Sequence, residues 1–451
     1  MRVLVVGSAR ACHRRLAAHG HEMALLIPRR QAEPGDVTGP YRSVVVVDDD
    51  AGIELWVDFA RALHRRAPFD VVVAFNEPTY PVAHAISDAL QVPTTVDVDL
   101  FGRVLDKSRT RAILVEHGIP SCRYEVVYGW AAIHEAVRRV GFPCIVKPVD
   151  GEASLGVTKV GSETEVAAAL RRLGDDQIDR GVLVEEFLVG EEFSVESISA
   201  GSQHHIVAVT RKFTDELTFV ERGHLVPAPL DHATHEAIVG YVRRVLDALG
   251  FHDCPSHTEV VLTDAGPRLV ETHNRIGGDS IMDLVQLATG IDMYDLVARQ
   301  GLGENVSALL PDQPAHHQYA AVWFADPSGP ATNTLREVRG VEQVAGLPYV
   351  RKVKILKEPG SPQGAVAQSA DRSALVVLVG GTAQEALDRA HAAIRMLVFV
   401  YTPKLPEESP PAPPPDETGT NSSRWVRDVR QAGSDALGVV ASSDTRGPLL
   451  T

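Results

Sequence analysis

The chain has 451 residues, which favours about two to four structural units over a single core. Its formal net charge of −15 disfavours non-specific binding to nucleic acid or to an anionic membrane surface, because the field of the chain repels polyanions. The apolar run near the N-terminus is too short for a signal sequence, and no apolar stretch is long enough to cross a bilayer. The four cysteines form no CxxC pair, so we expect a reduced, cytoplasmic enzyme and not a zinc or redox protein.

Residues 1–100 alternate apolar runs with helix-like segments. The runs "RVLVVG", "EMALLIP", "SVVVVD" and "FDVVVAF" are typical of parallel strands covered on both faces, so they predict a doubly wound α/β domain. Its first turn lacks GxGxxG, so we expect the domain to lend one edge to an active site and not to bind a dinucleotide. Glu77 follows a strand at the edge where open α/β sheets bind ligands, and is a candidate contact for a substrate ammonium.

Helices and short strands alternate from residue 101 to about residue 305, which predicts an α+β catalytic body. The segment "DKSRTRAILVEHGI" predicts a helix that ends at Gly118. Residues 306–404 predict a smaller α+β unit. The proline-rich segment 405–451 predicts a disordered tail, because it has too few apolar residues to form a core.

A lysine and a glycine-containing segment lie next to each other in the body. Lys147 ends the apolar strand "CIVKP", where a buried ammonium needs a partner, and "DGEASLGVTKV" follows at 150–160. The small residues of this segment let backbone amides approach phosphate oxygens. Taken alone, the pattern is more often a structural hairpin than a phosphate-binding loop.

Acidic residues cluster in the next segment, "VLVEEFLVGEEFSV". Glu185 and Glu186 end a predicted strand, and Glu192 lies beyond a glycine. A strand that leads into an extended linker offers backbone partners to an adenine, and a carboxylate beyond it can accept hydrogen bonds from ribose hydroxyls. A solvated acidic turn is the alternative.

A predicted hairpin, "HTEVVLTDAGPRLVETH", places two glutamates opposite each other. Glu259 and Glu271 are equally distant from Ala265 at the turn, so we expect them to be cross-strand neighbours. Facing carboxylates repel unless a positive group lies between them, and Mg²⁺ is a natural occupant. An acid/base pair and an ordinary surface hairpin are the alternatives. Arg275, shortly after the hairpin, is suited to stabilise a developing phosphoryl charge.

Taken in order, these motifs resemble those of the ATP-grasp superfamily of carboxylate–amine ligases, and most closely the L-amino acid ligase branch, which joins amino acids into dipeptides. The resemblance covers roughly residues 1 to 400 and rests on "DKSRTR", "IVKP", "GEASLGV", "VEEFLVGEEFSVE", "HTEV" and "ETHNRIGGD". It implies an N-terminal pre-ATP-grasp domain over 1–100, a two-lobed ATP-binding body over 101–305 with a lid at about 148–185, and a small C-terminal domain over 306–404.

The resemblance also implies site residues. The implied ATP contacts are Lys107, Lys147, Ser154, Leu155, Gly156, Glu185, Glu186, Phe187, Leu188, Glu192 and Lys212. Among them the lysines resemble phosphate contacts, the amides at 154–156 the phosphate lid, residues 185–188 the adenine linker, and Glu192 the ribose contact. Glu259 and Glu271 resemble metal ligands, and Arg275 resembles the arginine beside the transferred phosphate. Glu221 and His224, spaced E-x-x-H, resemble the pair that faces the substrates.

One position departs from the pattern of this superfamily. Many relatives carry E-x-N after the hairpin, with the asparagine as third metal ligand, whereas this chain has Glu271-Thr272-His273 and then Asn274. A shift of one residue on a strand moves a side chain to the other face, so we predict His273 at the ligand position and Asn274 pointing away. Imidazole suits Mn²⁺ better than Mg²⁺, which leaves the metal preference open.

The predicted function is an ATP-dependent ligase that forms an amide between a carboxylic acid, such as an amino acid, and an amine, releasing ADP and phosphate. Another ATP-grasp enzyme, such as a purine-pathway ligase or a biotin-carboxylase-like enzyme, is the first alternative, and a nucleotide-binding module without catalysis is the second. The expected partners are small-molecule substrates, with ATP and Mg²⁺ as cofactors, and neither nucleic acid nor membrane. The oligomeric state is left open, although relatives are often homodimers.

Overall fold

The computed structural model describes residues 1–149, 156–171, 173, 175–201, 203–311 and 314–403. Three sheets organise most of this chain: a parallel sheet at the N-terminus, an antiparallel sheet in a small lobe, and one large sheet. None of the described helices is long and apolar enough to cross a membrane.

The N-terminal unit is a four-stranded parallel sheet flanked by helices. Consecutive residues of its central strands are buried, which matches the continuous apolar runs in the sequence. The strand order β3-β2-β1-β4 is that of a doubly wound α/β sheet, as predicted. The elements are β1 (Arg2–Val6), α1 (Arg10–Ala18), β2 (Glu22–Pro28), α2 (Pro34–Val37), β3 (Tyr41–Val47), α3 (Ile53–Arg66), β4 (Val71–Ala74) and α4 (Tyr80–Leu90).

Two helices, α5 (Val98–Leu105) and α6 (Lys107–Glu116), connect this unit to the rest of the chain. Asp106 caps α6, because its carboxylate accepts hydrogen bonds from the backbone amides of Ser108 and Arg109. The cap fixes the first turn of α6, where Lys107 lies. Arg111, one helical turn later, shares the same face of the helix and is also buried.

The small lobe, residues 124–186, is an antiparallel sheet with strand order β5-β8-β6-β7. Its core is aliphatic and includes Ile133, Val137 and Val184. Its elements are β5 (Tyr124–Val127), α7 (Trp130–Val140), β6 (Cys144–Pro148), β7 (Thr158–Val160), α8 (Glu163–Leu170), α9 (Asp175–Arg180) and β8 (Val182–Glu186). Lys147 on β6 is opposite Leu183 and Glu185 on β8 is opposite Ile145, so the antiparallel register puts both charged side chains on one face of the sheet. This face presents them to the large sheet.

The large sheet has eight strands in the order β13-β12-β9-β10-β11-β14-β17-β16. Helix α10 packs on one face through residues such as Val242 and Leu246, and α11 and α12 pack on the other through residues such as Met282 and Val297. The elements from the catalytic body are β9 (Glu191–Ala200), β10 (Gln203–Thr214), β11 (Glu221–Val226), α10 (His232–Leu249), β12 (Pro255–Thr263), β13 (Gly266–His273), α11 (Ile281–Thr289) and α12 (Met293–Gly301).

The C-terminal unit is joined to this body through the same sheet. Its strand β14 pairs with β11, with His224 opposite Val322. The chain therefore differs from the division predicted at residue 305, since three strands beyond it extend the sheet of the body. The elements are β14 (Tyr319–Ala325), β15 (Asn333–Arg339), α13 (Val341–Ala345), β16 (Val350–Ile355), β17 (Ala374–Gly380), α14 (Ala383–Arg395) and β18 (Val398–Pro403), of which β15 and β18 form a separate pair. The predicted tail, 405–451, lies outside the described residues.

Gly190 is a point of close approach between the linker after β8 and strand β12. A Cβ atom at this position would lie 2.0 Å from the carbonyl oxygen of Leu262, and the glycine has φ +157°. We expect Gly190→Ala to destabilise the fold by about 1–3 kcal/mol, because backbone on both sides has to shift. Apparent unfolding temperature would measure the effect.

Gly240 provides the matched control for this substitution. It lies exposed in the interior of α10 with no atom within 4 Å of an added Cβ. Gly240→Ala is therefore expected to stabilise the protein by about 0.5–1 kcal/mol. Equal unfolding temperatures for the two variants would contradict the role assigned to Gly190.

Candidate functional site

A cleft of about 680 Å³ lies between the small lobe and the large sheet. Charged residues from both sides line it, and most of the sequence-predicted site residues are among them. The predicted residues that line the cleft are Lys107, Lys147, Glu185, Glu186, Phe187, Leu188, Glu192, Lys212, Glu221, Glu259 and Glu271.

The small-lobe wall of the cleft is built on a buried ion triad. Glu185 accepts from Lys147 at 2.5 Å and from Arg111 at 2.7 Å, and all three side chains are almost completely buried. Burial alone would raise the pKa of Glu185, but the two cations outweigh it and lower the pKa to about 2. Arg111 also donates to the carbonyl oxygen of Val270 on β13 at 2.7 Å, so it ties the small lobe to the large sheet. Sequence reasoning did not assign Arg111 a role, although its spacing from Lys107 places both on one helix face.

The linker after β8 forms an aromatic wall of the cleft. The ammonium of Lys159 lies 3.8 Å from the centre of the Phe187 ring, and the ring of Phe219 is 6.3 Å from that of Phe187. Phe219 has a left-handed backbone, φ 58°, in a turn in which its amide donates to the carbonyl oxygen of Asp215. The side chain of Glu186 turns outward to Arg123, so only its backbone is placed to contact a ligand in the cleft. The sequence analysis assigned no role to Lys159 or Phe219, although Lys159 lies in the quoted segment "DGEASLGVTKV".

The large-sheet wall carries a lysine held by carboxylates. Lys212 donates to Glu192 at 2.6 Å and lies 2.7 Å from Glu259, with Glu221 at 3.9 Å. Burial lowers the pKa of this ammonium, but the surrounding carboxylates raise it well above its ordinary value. Lys212 is therefore a buried cation among three carboxylates that the sequence analysis assigned to separate roles.

The predicted hairpin pair is confirmed. Strands β12 and β13 place Glu259 directly opposite Glu271. A register shift between Glu259 and Val260 is needed for this pairing, because Thr263 pairs with Gly266 at the turn. Glu271 lies 3.4 Å from the ammonium of Lys107, so each carboxylate of the pair has its own lysine.

Two histidines brace these carboxylates from behind. His257 donates to Glu196 at 3.0 Å and to Glu259 at 3.1 Å, and His273 donates to Glu77 at 3.1 Å and to Glu271 at 3.1 Å. Burial lowers the pKa of both rings, but the carboxylates raise it above the ordinary value, to about 10 for His257.

Both ring nitrogens of His273 are thus engaged by carboxylates, so the ring is not presented as a metal ligand, contrary to our prediction. Within the described residues, no group of three or more His, Cys, Asp or Glu side chains has the geometry of a metal site. Asn274 does face away from the cleft, as predicted: it lines a separate small cavity beside Cys254 and Gln300.

Glu77 is buried and joins the N-terminal unit to the site. Its carboxylate accepts from His273 and, at 3.0 Å, from Nε of Arg275. Burial raises the pKa of Glu77, but His273 and Arg275 more than compensate and lower it. The candidate role as an ammonium contact is therefore replaced by an anchoring role, since both cationic neighbours belong to the protein.

The E-x-x-H pair lies on β11 beside Lys212. His224 pairs in register with Lys212, so both side chains lie on the same face of the sheet. Nε2 of His224 is 3.2 Å from Asp279, and Glu221 accepts from the hydroxyl of Ser369 at 2.7 Å. The sequence analysis gave Asp279 no role, although it ends the quoted motif "ETHNRIGGD". It missed Ser369, because the distance of this residue along the chain from Glu221 leaves no local pattern.

Parts of the predicted lid lie outside the described residues. Ser154 and Leu155 are among them, so their predicted phosphate contact stays a prediction. Gly156 is described, with φ +77°, and a Cβ at this position would lie 3.1 Å from the ring of Pro148. The segment therefore needs glycine there for its turn, whatever else it does.

Known protein families match two parts of the chain. The family described as ATP-grasp domain matches residues 140–283, and the L-amino acid ligase C-terminal domain 2 matches residues 329–402.

Individual relatives match different shares of the chain. The chain is 27% identical over 341 residues to the uncharacterized protein y4rH of Sinorhizobium fredii, covering 74% of this chain and 69% of that protein. It is 27% identical over 216 residues to the alanine–anticapsin ligase of Bacillus subtilis, covering 43% of this chain and 45% of that ligase. Among solved structures, the L-amino acid ligase from Bacillus licheniformis superimposes with a TM-score of 0.78 at 22% identity, covering 89% of this chain and 98% of that chain. This likeness shows a shared fold.

The buried triad predicts a pH-dependent contribution to stability. Glu185 has an ordinary pKa of 4.5 and a folded pKa of about 2, so its contribution is complete above 4.5 and is lost as the pH falls to about 2. We expect Glu185→Gln to lower the free energy of unfolding by about 3–5 kcal/mol at neutral pH, because it removes the negative charge that balances two buried cations.

Urea unfolding of both proteins between pH 7 and pH 3 would measure this difference. The difference in the free energy of unfolding between the native chain and Glu185→Gln should narrow as the pH falls below 4.5. Glu125→Gln, which removes a carboxylate paired with Arg139 at the protein surface, should have little effect at any of these pH values. A difference for Glu185→Gln that stays constant down to pH 3 would contradict the assignment.

Proposed function

We propose that this chain, which belongs to the ATP-grasp superfamily of carboxylate–amine ligases, activates an amino acid or related carboxylate as an acyl phosphate and joins it to an amine, releasing ADP and phosphate. Its two matched domains confirm the family resemblance of the motifs. The observation that supports the activity best is the charge pattern of the cleft, in which Lys107 and Lys147 meet the paired carboxylates Glu259 and Glu271.

We assign the nucleotide to the cleft between the lobes. The backbone of Glu186–Leu188 would contact adenine, with the Phe187 ring as part of the slot, and Glu192 would accept from ribose. Lys107, Lys147 and Lys212 supply positive charge for the phosphates, together with amides at 154–156. Glu185 itself is fully engaged by Arg111 and Lys147, so its part in this proposal is to hold Lys147 and not to contact the base.

The metal is proposed to be Mg²⁺ held by Glu259 and Glu271. Two hard carboxylate donors that face each other fit Mg²⁺, which commonly takes one or two protein carboxylates and completes its shell with water and phosphate oxygens. His273 then serves to orient Glu271, which removes the reason for preferring Mn²⁺. When bound, the metal would neutralise phosphate charge during transfer.

The residues of the chain contribute positioning and charge in the proposed reaction. The substrate carboxylate attacks the γ-phosphorus of ATP, and we assign Arg275, which Glu77 holds, to stabilise the charge of the transferred group. Glu221 and His224 face the substrates. The amine then displaces phosphate from the acyl phosphate and forms the amide.

The choice of an amino acid as substrate rests on relatives. The names of the alanine–anticapsin ligase and of the L-amino acid ligase describe amino acid substrates for those proteins. The cytoplasm is the proposed location, in keeping with four cysteines that are all described and all unpaired.

Release of ADP and phosphate would test this function. The purified chain, supplied with Mg-ATP and pairs of amino acids, is expected to release both products only when an accepted acid is present. Glu271→Gln should lower kcat by about 10²-fold or more, because one metal ligand loses its charge. Glu125→Gln is the matched control and should keep full activity.

Two outcomes would count against the proposal. Tight binding of Mg-ATP with no ADP release for any acid and amine would favour a nucleotide-binding module. Full activity of Glu271→Gln with Mg²⁺ would remove Glu271 from the metal site.

A further inference from the structure

A buried arginine of the C-terminal unit contacts Glu221 of the E-x-x-H pair and Asp279, the hydrogen-bond partner of His224. Arg372 donates to the two carboxylate oxygens of Asp279 at 2.6 and 2.8 Å, and to the backbone carbonyl of Glu221 at 3.3 Å. Its guanidinium also stacks on the ring of Phe324, 3.7 Å from the centre. Arg372 is 6% exposed, so its charge, hydrogen bonds and planar face are all satisfied inside the protein.

Asp279 is held in a backbone conformation that is uncommon for its residue type. It has φ 52°, and Ser280 after it has φ 63°, so two consecutive non-glycine residues are left-handed just before α11. Such strain persists where the surroundings over-determine it, and often marks a functional position. Here the contacts of Arg372 and His224 with the Asp279 carboxylate hold this residue in its left-handed conformation.

One ring nitrogen of His224 has a hydrogen-bond partner among the described residues, and the other has none. Nε2 faces Asp279 at 3.2 Å, while Nδ1 is buried and has no hydrogen-bond partner among the described residues. Burial raises the pKa of Asp279, but His224 and Arg372 lower it far below its ordinary value, so Asp279 is a carboxylate and can only accept. Nε2 therefore carries the proton, and in the neutral ring Nδ1 is left as an acceptor.

The position of His224 relates this acceptor to the cleft. The ring does not line the cleft itself, but it lies on the same sheet face as its register partner Lys212, which does, and Glu221 on the same strand lines the cleft as well. A buried acceptor without a partner costs free energy unless a ligand or water satisfies it. The group that would satisfy it in the proposed reaction is the N–H of the amine substrate.

We propose that Asp279 and Arg372 are positioning residues that hold His224 in the tautomer whose Nδ1 takes a proton from the amine substrate. The inference rests on the proposed function and deepens it, since it assigns a base to the second half of the reaction. Arg372 orients Asp279, Asp279 orients the imidazole, and the imidazole acts on the amine.

The proton balance of this step is complete. The bound ammonium gives one proton to Nδ1, and the freed lone pair forms the C–N bond to the acyl carbon. The C–O bond to phosphate breaks with its electron pair on the phosphate, which leaves with the second proton of the amine. The imidazolium then returns its proton to solvent. The first half of the reaction, from acid and ATP to acyl phosphate, needs no proton acceptor at His224.

The experiment measures the two halves of the reaction, acyl phosphate formation and amide formation, separately. Formation of acyl phosphate is followed without amine, by exchange of ¹⁸O between bridging and non-bridging positions of ATP in the presence of the acid alone. Amide formation is followed by product release with both substrates. Asp279→Asn, Arg372→Met, Arg372→Lys and His224→Gln are compared with the native chain, and thermal unfolding checks that each variant is folded.

We expect amide formation to fall by about 10²-fold or more in Asp279→Asn and His224→Gln, while isotope exchange stays within a few fold of native. The asparagine amide can donate to Nε2 and so favours the opposite tautomer. Arg372→Met should likewise lose amide formation while isotope exchange stays near the native rate. Arg372→Lys should recover only part of the rate of amide formation, because lysine cannot make the bidentate contact with the carboxylate. If Arg372→Met does not fold, the isosteric Asp279→Asn decides the question.

Arg389→Met is the matched control. Arg389 belongs to the same C-terminal unit, pairs with Glu385 and lies over the ring of Tyr349, but it does not line the cleft. It should leave both halves of the reaction unchanged.

Equal losses of exchange and amide formation in Asp279→Asn would overturn the proposal and leave the cluster with a structural role alone. Unchanged amide formation in His224→Gln would overturn it as well. Failure of the proposed function would look different, because the native chain would then show neither exchange nor product with any acid.

Discussion

The balance of buried charge in the cleft is the constraint on which the site depends. A carboxylate as buried as Glu185 cannot stay ionised without cations at contact distance, since the cost of desolvation is several kcal/mol for a buried ion. The same need is present, to a smaller degree, for the partly buried carboxylates Glu259 and Glu271. Lysines, histidines and one arginine meet this need, and they come from several parts of the described fold. Helix α6 contributes Lys107 and Arg111, the small lobe contributes Lys147, and the large sheet contributes Lys212, His257 and His273. The N-terminal unit adds the carboxylate of Glu77, which holds His273.

This balance bears on how the proposed nucleotide and metal would enter. Lys107 and Lys212 are paired with Glu271 and Glu259, the two residues assigned to the metal. Binding of Mg-ATP would exchange partners, with the cation taking the carboxylates and the lysines turning to the phosphates. Each of these groups would exchange one oppositely charged partner for another, so none would be left buried without a partner. His257 and His273 stay behind the carboxylates and keep them oriented.

The large sheet explains why the C-terminal unit belongs to the site. Strand β14 pairs with β11 over residues that include His224, so the C-terminal strands extend the surface that carries the cleft. Arg372, just before β17, reaches Asp279 and Glu221 from this extension. A residue far along the chain can thus set the orientation of groups on the central strands, because one continuous sheet holds them in register.

Local pattern in the sequence predicted the elements and the family resemblance, and most of the site residues that it predicted line the cleft. Apolar periodicity predicts the strands and helices because burial follows it. The hairpin predicts Glu259 opposite Glu271, and the structure reaches this pairing through a register shift between Glu259 and Val260 that the sequence pattern does not reveal. The tertiary structure decided which charges meet. The engagement of His273 by Glu77, the triad of Arg111, Lys147 and Glu185, and the contact of Arg372 with Asp279 join residues far apart in the chain. Such contacts depend on how separate elements pack, and no local pattern of residues encodes them.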